Sequence, residues 1–185
     1  MAQRDTRLLE PDTREMVAAL VTGCRQRGVE MRPYCTVRTP QEQAKIWRQS
    51  RSGERIERRI RDLRDKGAPW LADVLEGVGP QEGPPITGAL PGESWHQWAE
   101  ACDLFWLVDG DAVWGADKMI DGQNGYRVMT EVARSVGLHV VSFTGSDGRR
   151  IRDWPHVQRR EAGSPRSLYT WEQIDAAMRE GFGGQ

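Results

Sequence analysis

Residues 1–185 read as one α+β domain, a small antiparallel sheet flanked by helices. Three observations lead there. Several segments carry helix-start signals followed by apolar residues at helical spacing. Short apolar runs between them have strand length, and two of these are joined by an Asp-Gly turn. No internal repeat, low-complexity tract or linker divides the chain, and 185 residues suffice for one good core but are short for two.

Asp12 and Glu15 have capping-box spacing, and Met16, Leu20 and Cys24 follow at i, i+4 and i+8, so an amphipathic helix runs to about Gly28. Residues 29–37 read as a strand interrupted by Pro33, hence an edge strand or a bulged one. Thr39-Pro40-Gln41-Glu42 starts a second helix, which runs through Ile46 and Trp47: a cap residue, a proline at the first helical position and a glutamate at the third. Residues 54–66 hold six basic and four acidic side chains and read as a solvated helix laced by i,i+4 pairs. Residues 70–78 add a short apolar helix and 79–85 a loop. Residues 101–108 form a strand that Asp109-Gly110 folds back into 112–114. A helix over 124–136 ends at Gly137, 138–143 read as another strand, and 171–179 as a terminal helix.

The totals exclude several classes. Lys and Arg number 26 against 27 Asp and Glu, a net charge of −1, which favours neither nucleic acid nor an anionic membrane. No run approaches the roughly 18 apolar residues of a membrane span. The N-terminal residues enter a charged segment without an apolar run, so no secretory signal is expected. Cys24, Cys35 and Cys102 are odd in number and form no CxxC pair, which suits buried free thiols in a reducing compartment. Eight tryptophans are many for this length; such side chains line grooves for extended ligands, and core packing accounts for them equally well. The chain is read as a monomer.

The chemistry centres on His96, Asp103 and His156, with Asp153 just ahead of the last. Two neutral imidazoles and one carboxylate suit a catalytic zinc, because three protein ligands leave a fourth position open. A spare carboxylate nearby can act as general base. His96 and Asp103 are seven apart, too far for one helical turn, so one precedes the strand and the other lies on it. Along that strand Ala101, Asp103, Phe105 and Leu107 share a face, while Cys102, Leu104 and Trp106 share the other, which turns Cys102 away from a metal at Asp103. Asp153 and His156 span four residues around Pro155; as a turn, their Cα atoms come within about 7 Å. Alone, His96 would read as a structural histidine and Asp153 as a turn former. His139, mid-strand and without a partner motif, keeps the structural reading. A calcium site built on Asp109, Asp111, Asp117 and Asp121 fails, because no EF-hand loop fits their spacing.

The segment Ile86-Thr87-Gly88-Ala89-Leu90-Pro91-Gly92-Glu93-Ser94-Trp95-His96, continuing to Asp103, resembles the zinc peptidases that include D-alanyl-D-alanine carboxypeptidases and phage L-alanyl-D-glutamate endopeptidases. The family pattern is Ser-x-His, six residues, Asp, and a later Asp-x-x-His. The Thr-x-Ala-x-Pro-Gly lead-in looks most like the endolysin branch, and Val37-Arg38-Thr39 followed by Gln43 looks like that branch's arginine segment. The match spans about residues 8–158, with motifs at four separated points in the right order. Three features depart from it. Ala99 stands where glycine is usual, Phe143-Thr144-Gly145-Ser146-Asp147-Gly148 replaces a glycine-tryptophan-rich stretch, and residues 54–83 look like a helical insertion beside the groove.

The resemblance implies a zinc ion in a groove, held by His96, Asp103 and His156. It implies Asp153 as general base and Arg38 as the arginine that binds substrate and stabilises the oxyanion. Gln43 and Ser94 would join Arg38 in substrate binding. A guanidinium suits that task, being always charged and geometrically rigid. The implied substrate is bacterial peptidoglycan, cut at an amide of the stem peptide, the L-alanyl-D-glutamate bond. The implied setting is a phage endolysin kept in the cytoplasm until another factor releases it to the cell wall; a toxin exported by a dedicated machine fits the same features. Two rivals stand beside it: a D-alanyl-D-alanine carboxypeptidase, and a non-catalytic zinc-bearing module that binds cell wall. The presence of Asp153 argues against the second.

Overall fold

Apolar side chains collect into two separate cores. The computed structural model describes residues 3–144 and 150–184. In chain order its elements are α1 (Pro11–Gln26), β1 (Glu30–Cys35), α2 (Pro40–Arg48), α3 (Gly53–Asp65), α4 (Pro69–Gly77) and β2 (Ala101–Val108). They continue with β3 (Asp111–Val113), α5 (Gly125–Ser135), β4 (Ser142–Thr144), β5 (Arg150–Arg152), β6 (His156–Gln158) and α6 (Trp171–Phe182). Helices and a small antiparallel sheet make up the α+β class expected. The chain divides into two units, Met1–Val37 with Ala99–Glu161 and Arg38–Trp98 with Ala162–Gln185. No helix among the described residues is long and apolar enough to cross a membrane.

In the first unit β2 is the central strand. β1 pairs antiparallel along one edge, while β3 and β6 pair with the two ends of the other. The Asp109-Gly110 turn forms as expected: both residues have positive φ, 50° and 89°, the geometry of a two-residue hairpin loop. β1 is an edge strand with a register shift between Pro33 and Cys35, so the proline marks an edge and a bulge together. The β2 alternation is also as read. Cys102, Leu104 and Trp106 enter the core with Met31 of β1, and α1 packs on β1 through a buried stripe of Thr13, Val17, Leu20 and Cys24. Each fully buried leucine or methionine there contributes about 1.5–3 kcal/mol, which anchors the strand that carries Asp103.

Two expectations change. α1 starts two residues early: Pro11 takes its first position after Glu10, which makes no side-chain cap bond, so the Asp12–Glu15 box is not what starts the helix. The strand expected over 138–143 does not form as one piece. The Leu138 amide donates to the Ala133 carbonyl at 2.8 Å, closing the end of α5 and burying Leu138. The chain then makes a single bridge, His139 to Gln158, before β4 pairs with β5 in a separate sheet. Of the 143–148 stretch, residues 145–148 lie outside the described residues.

The second unit is helical. The Thr39–Glu42 capping box closes the start of α2 in both directions. The charged helix α3 is more than a solvated decoration: Ile56, Ile60 and Leu63 form a buried stripe against Leu71 and Leu75 of α4. The expected i,i+4 lacing exists on its outer face, as Arg58–Glu54 at 3.1 Å. α4 lacks a cap of its own, and Asp175 of α6 accepts from the Leu71 amide at 2.8 Å in its place.

Candidate metal centre

The sheet face opposite the first core carries the polar groups. Cross-strand neighbours in an antiparallel pair share a face, and Asp103 has Cys35 opposite it on β1 and His156 opposite it on β6. Asp103 Oδ1 lies 3.0 Å from His156 Nδ1, with the two side chains 19% and 12% exposed. Two donors about 2.0 Å from one tetrahedral zinc are about 3.3 Å apart. The pair therefore already stands near the spacing of two ligands on one ion, and an imidazole and a carboxylate are suitable zinc donors.

The Asp153–His156 turn forms as expected. The His156 amide donates to the Asp153 carbonyl at 3.2 Å, and the Asp153 amide donates to the Val141 carbonyl at 3.0 Å. Between them Pro155, which has no N–H to satisfy, offers its carbonyl to the Leu104 amide at 2.9 Å and so pins the turn to β2. Asp153 is exposed at the mouth of this turn. Behind it, Gln158 is 1% exposed and its Oε1 lies 3.0 Å from His156 Nε2.

Cys102 is excluded as a ligand by its direction into the core, where burial, with Asp103 and Cys35 adding to it, pushes its thiol well above the usual range. Burial also raises Cys24 to about 11. All three cysteines are buried. Cys35 is the group sequence reasoning missed. Its Sγ lies within 4.8 Å of an Asp103 carboxylate oxygen, because the bulge in β1 returns it to the Asp103 face. Nothing local in the sequence announces that register. His139, which is exposed, joins the sheet through a backbone bridge to Gln158.

The second unit carries His96, Arg38, Gln43 and Ser94. His96 sits in a short 3-10 turn, Trp95–Trp98, and is 2% exposed. The turn opens at Ser94, whose carbonyl accepts from the Gln97 amide at 3.0 Å, and the His96 carbonyl accepts from the Arg38 amide at 3.3 Å. The Arg38 guanidinium donates through Nη1 to Gln43 Oε1 at 3.0 Å. Gln43 in turn donates to the Ala89 carbonyl at 2.8 Å, Trp47 Nε1 to Gly88 at 3.2 Å and Arg51 Nη2 to Thr87 at 2.6 Å. Side chains at positions 43, 47 and 51, four residues apart, thus hold three successive carbonyls of the lead-in. Further along, Gly92 has φ 86° and a Cβ there would meet Ile174 at 2.3 Å, so only glycine fits the Pro-Gly step. The lead-in that precedes His96 is a braced loop. Trp47, which braces it together with Arg51, reads in the sequence only as part of a helix.

The donors able to hold a metal are therefore Cys35, Asp103 and His156 in the first unit and His96 in the second. None of the curated proteins matches the chain. The family model for VanY, D-alanyl-D-alanine carboxypeptidase, matches residues 6–156, a stretch that contains Arg38, Gln43, Ser94, His96, Asp103 and Asp153 and ends on His156. With most of its 185 residues covered, the chain belongs to the D-alanyl-D-alanine carboxypeptidase family of peptidoglycan peptidases.

Proposed function

We propose that the protein is a zinc-dependent peptidase that hydrolyses an amide bond in the stem peptide of bacterial peptidoglycan, at the L-alanyl-D-glutamate linkage. The observation that carries this reading is the Asp103–His156 pair at 3.0 Å in a chain of this family. His96, Asp103 and His156 hold the ion; when bound, it polarises the scissile carbonyl and makes water a competent nucleophile at neutral pH. Asp153 takes the proton from the attacking water, a role its exposed position at the turn permits. Arg38, aimed by Gln43, offsets the negative charge that develops on the carbonyl oxygen, and Gln43 and Ser94 bind the substrate peptide.

The choice of bond rests on the lead-in at 86–96 and the Arg38–Gln43 spacing, which resemble the endolysin branch and support a role in phage-driven host lysis. The family description itself favours a second reading, removal of a terminal D-alanine. Digestion of purified peptidoglycan, with the new termini identified by mass spectrometry, separates them. New D-glutamate amino termini support the endopeptidase, free D-alanine supports the carboxypeptidase, and wall binding without new termini leaves a non-catalytic module.

A further inference from the structure

The His156 ring is contacted at both nitrogens, and the two contacts are chemically different. Nδ1 faces the Asp103 carboxylate and Nε2 faces the side-chain amide of Gln158, each at 3.0 Å. The orientation of that amide is set from behind: Gln158 Nε2 donates to the Arg160 carbonyl at 2.6 Å. A carbonyl only accepts, so the amide nitrogen must sit at that end and the amide oxygen at the histidine. The Arg160 backbone is itself held in place. Its guanidinium donates to both oxygens of buried Glu100, at 2.5 and 2.7 Å, and the neighbouring Arg159 amide donates to the Glu100 carbonyl at 2.9 Å. Gln158 is 1% exposed on β6, directly across from Ala101 of β2, so its orientation is built into the sheet.

We propose that Gln158 is a positioning residue that fixes the tautomer and rotation of His156, so that Nδ1 is the nitrogen presented to the metal beside Asp103. The inference rests on the zinc reading of this site. An amide oxygen only accepts, so His156 Nε2 carries the hydrogen; a neutral imidazole has one N–H, and its lone pair then lies on Nδ1, pointing toward Asp103 Oδ1. Two acceptor atoms 3.0 Å apart with no hydrogen between them repel unless a cation within reach of both, off the line that joins them, binds the pair. Ligand histidines are commonly held this way, by an acceptor on the ring nitrogen away from the metal, and loss of such an acceptor weakens metal binding by about 10–100-fold.

The test reads the ring directly. Nitrogen NMR of His156 in the metal-free protein, at a pH where the ring is neutral, is expected to show the hydrogen on Nε2, with zinc then shifting Nδ1. Chelator competition is expected to show zinc binding weakened about 10–100-fold in Gln158→Leu. Gln158→Glu keeps an acceptor toward His156 but gives up the donation to the Arg160 carbonyl, so it should keep the hydrogen on Nε2 even if zinc binds more weakly; it replaces the leucine variant if that one does not fold, and a hydrogen on Nδ1 in it counts against the proposal. A hydrogen on Nδ1 in the metal-free wild type, or wild-type zinc affinity in Gln158→Leu, overturns the proposal. Zinc retained unchanged in His156→Ala overturns the zinc reading itself, while the metal-free spectrum still reports separately on Gln158.

Discussion

Replacing Asp153 with asparagine removes one charge and keeps the backbone bonds that hold the turn. Its amide donates to Val141 at 3.0 Å and its carbonyl accepts from His156 at 3.2 Å, and asparagine keeps both backbone bonds. Pro155 stays tied to Leu104 at 2.9 Å, so His156 keeps its place opposite Asp103. Asp153 is exposed, and a surface substitution that leaves backbone bonds intact changes stability by no more than about 0.5 kcal/mol. Loss of a general base lowers turnover by about 100- to 10,000-fold, which is about 2.7–5.5 kcal/mol of transition-state stabilisation at 1.36 kcal/mol per decade. The chemical loss therefore exceeds the structural one at least several-fold. Three measurements on one preparation check this: new amino groups released from peptidoglycan, zinc by atomic absorption, and thermal unfolding. The expected variant is folded, carries zinc and is at least 100-fold slower. Zinc lost along with activity would make Asp153 a ligand, and full turnover would return it to a turn former.

The other predictions concern metal, transition state, backbone and surface. Wild-type protein is expected to hold about one zinc per chain, as a three-ligand catalytic site does. His96→Ala and His156→Ala should each lose stoichiometric metal; full retention in both would sink the assignment. Arg38→Lys keeps the charge but loses the fork that engages Gln43, so turnover should fall by about 100-fold, the scale of one lost oxyanion donor. Wild-type turnover in that variant would place Arg38 outside the reaction. Ala99 has φ 58°, a left-handed conformation that glycine adopts without strain, so Ala99→Gly should stabilise by about 0.5–1 kcal/mol, or about 2–4 °C in Tm at most. A lower Tm would show that the backbone there is not strained. Changing Arg55, Arg58, Arg59 and Arg61 of α3 together to glutamine should slow wall digestion at low salt and leave it unchanged at high salt, where screening removes attraction to wall carboxylates. Equal rates at low salt would mean the charged face has no role in substrate recruitment.

The legible parts of this fold are those governed by neighbours in sequence. Thr39 and Glu42 close their capping box within four residues, Asp109-Gly110 needs only its own backbone to turn the hairpin, and the alternation along 101–108 shows which side of β2 seeks the core. The Asp153–His156 turn belongs to the same group. The missed features depend on register between distant strands. Only the bulge at Pro33 places Cys35 across from Asp103, and β6 is three residues long, too short for its period to show. The ladder from Gln43, Trp47 and Arg51 to three loop carbonyls was hidden for a different reason: its acceptors are backbone groups of residues 87–89, whose identity says nothing about who donates to them.

The geometry around Asp103 follows from burial more than from any polar attraction. Cys102, Leu104 and Trp106 are driven inward, which forces Asp103 to the opposite face with the other odd-numbered residues of β2. Val157 is drawn to the same core from β6 and stands opposite Cys102, so its neighbours His156 and Gln158 must both emerge on the Asp103 face. A slip of one residue in the β2–β6 register would turn His156 and Gln158 into the apolar core and take Val157 out of it, a loss of about 1.5–3 kcal/mol in apolar burial before any polar penalty is counted. The register that brings carboxylate, imidazole and amide onto one face is thus the register the core already demands. Side chains on that face are then free to be chosen for chemistry, because the strands that present them are held from behind.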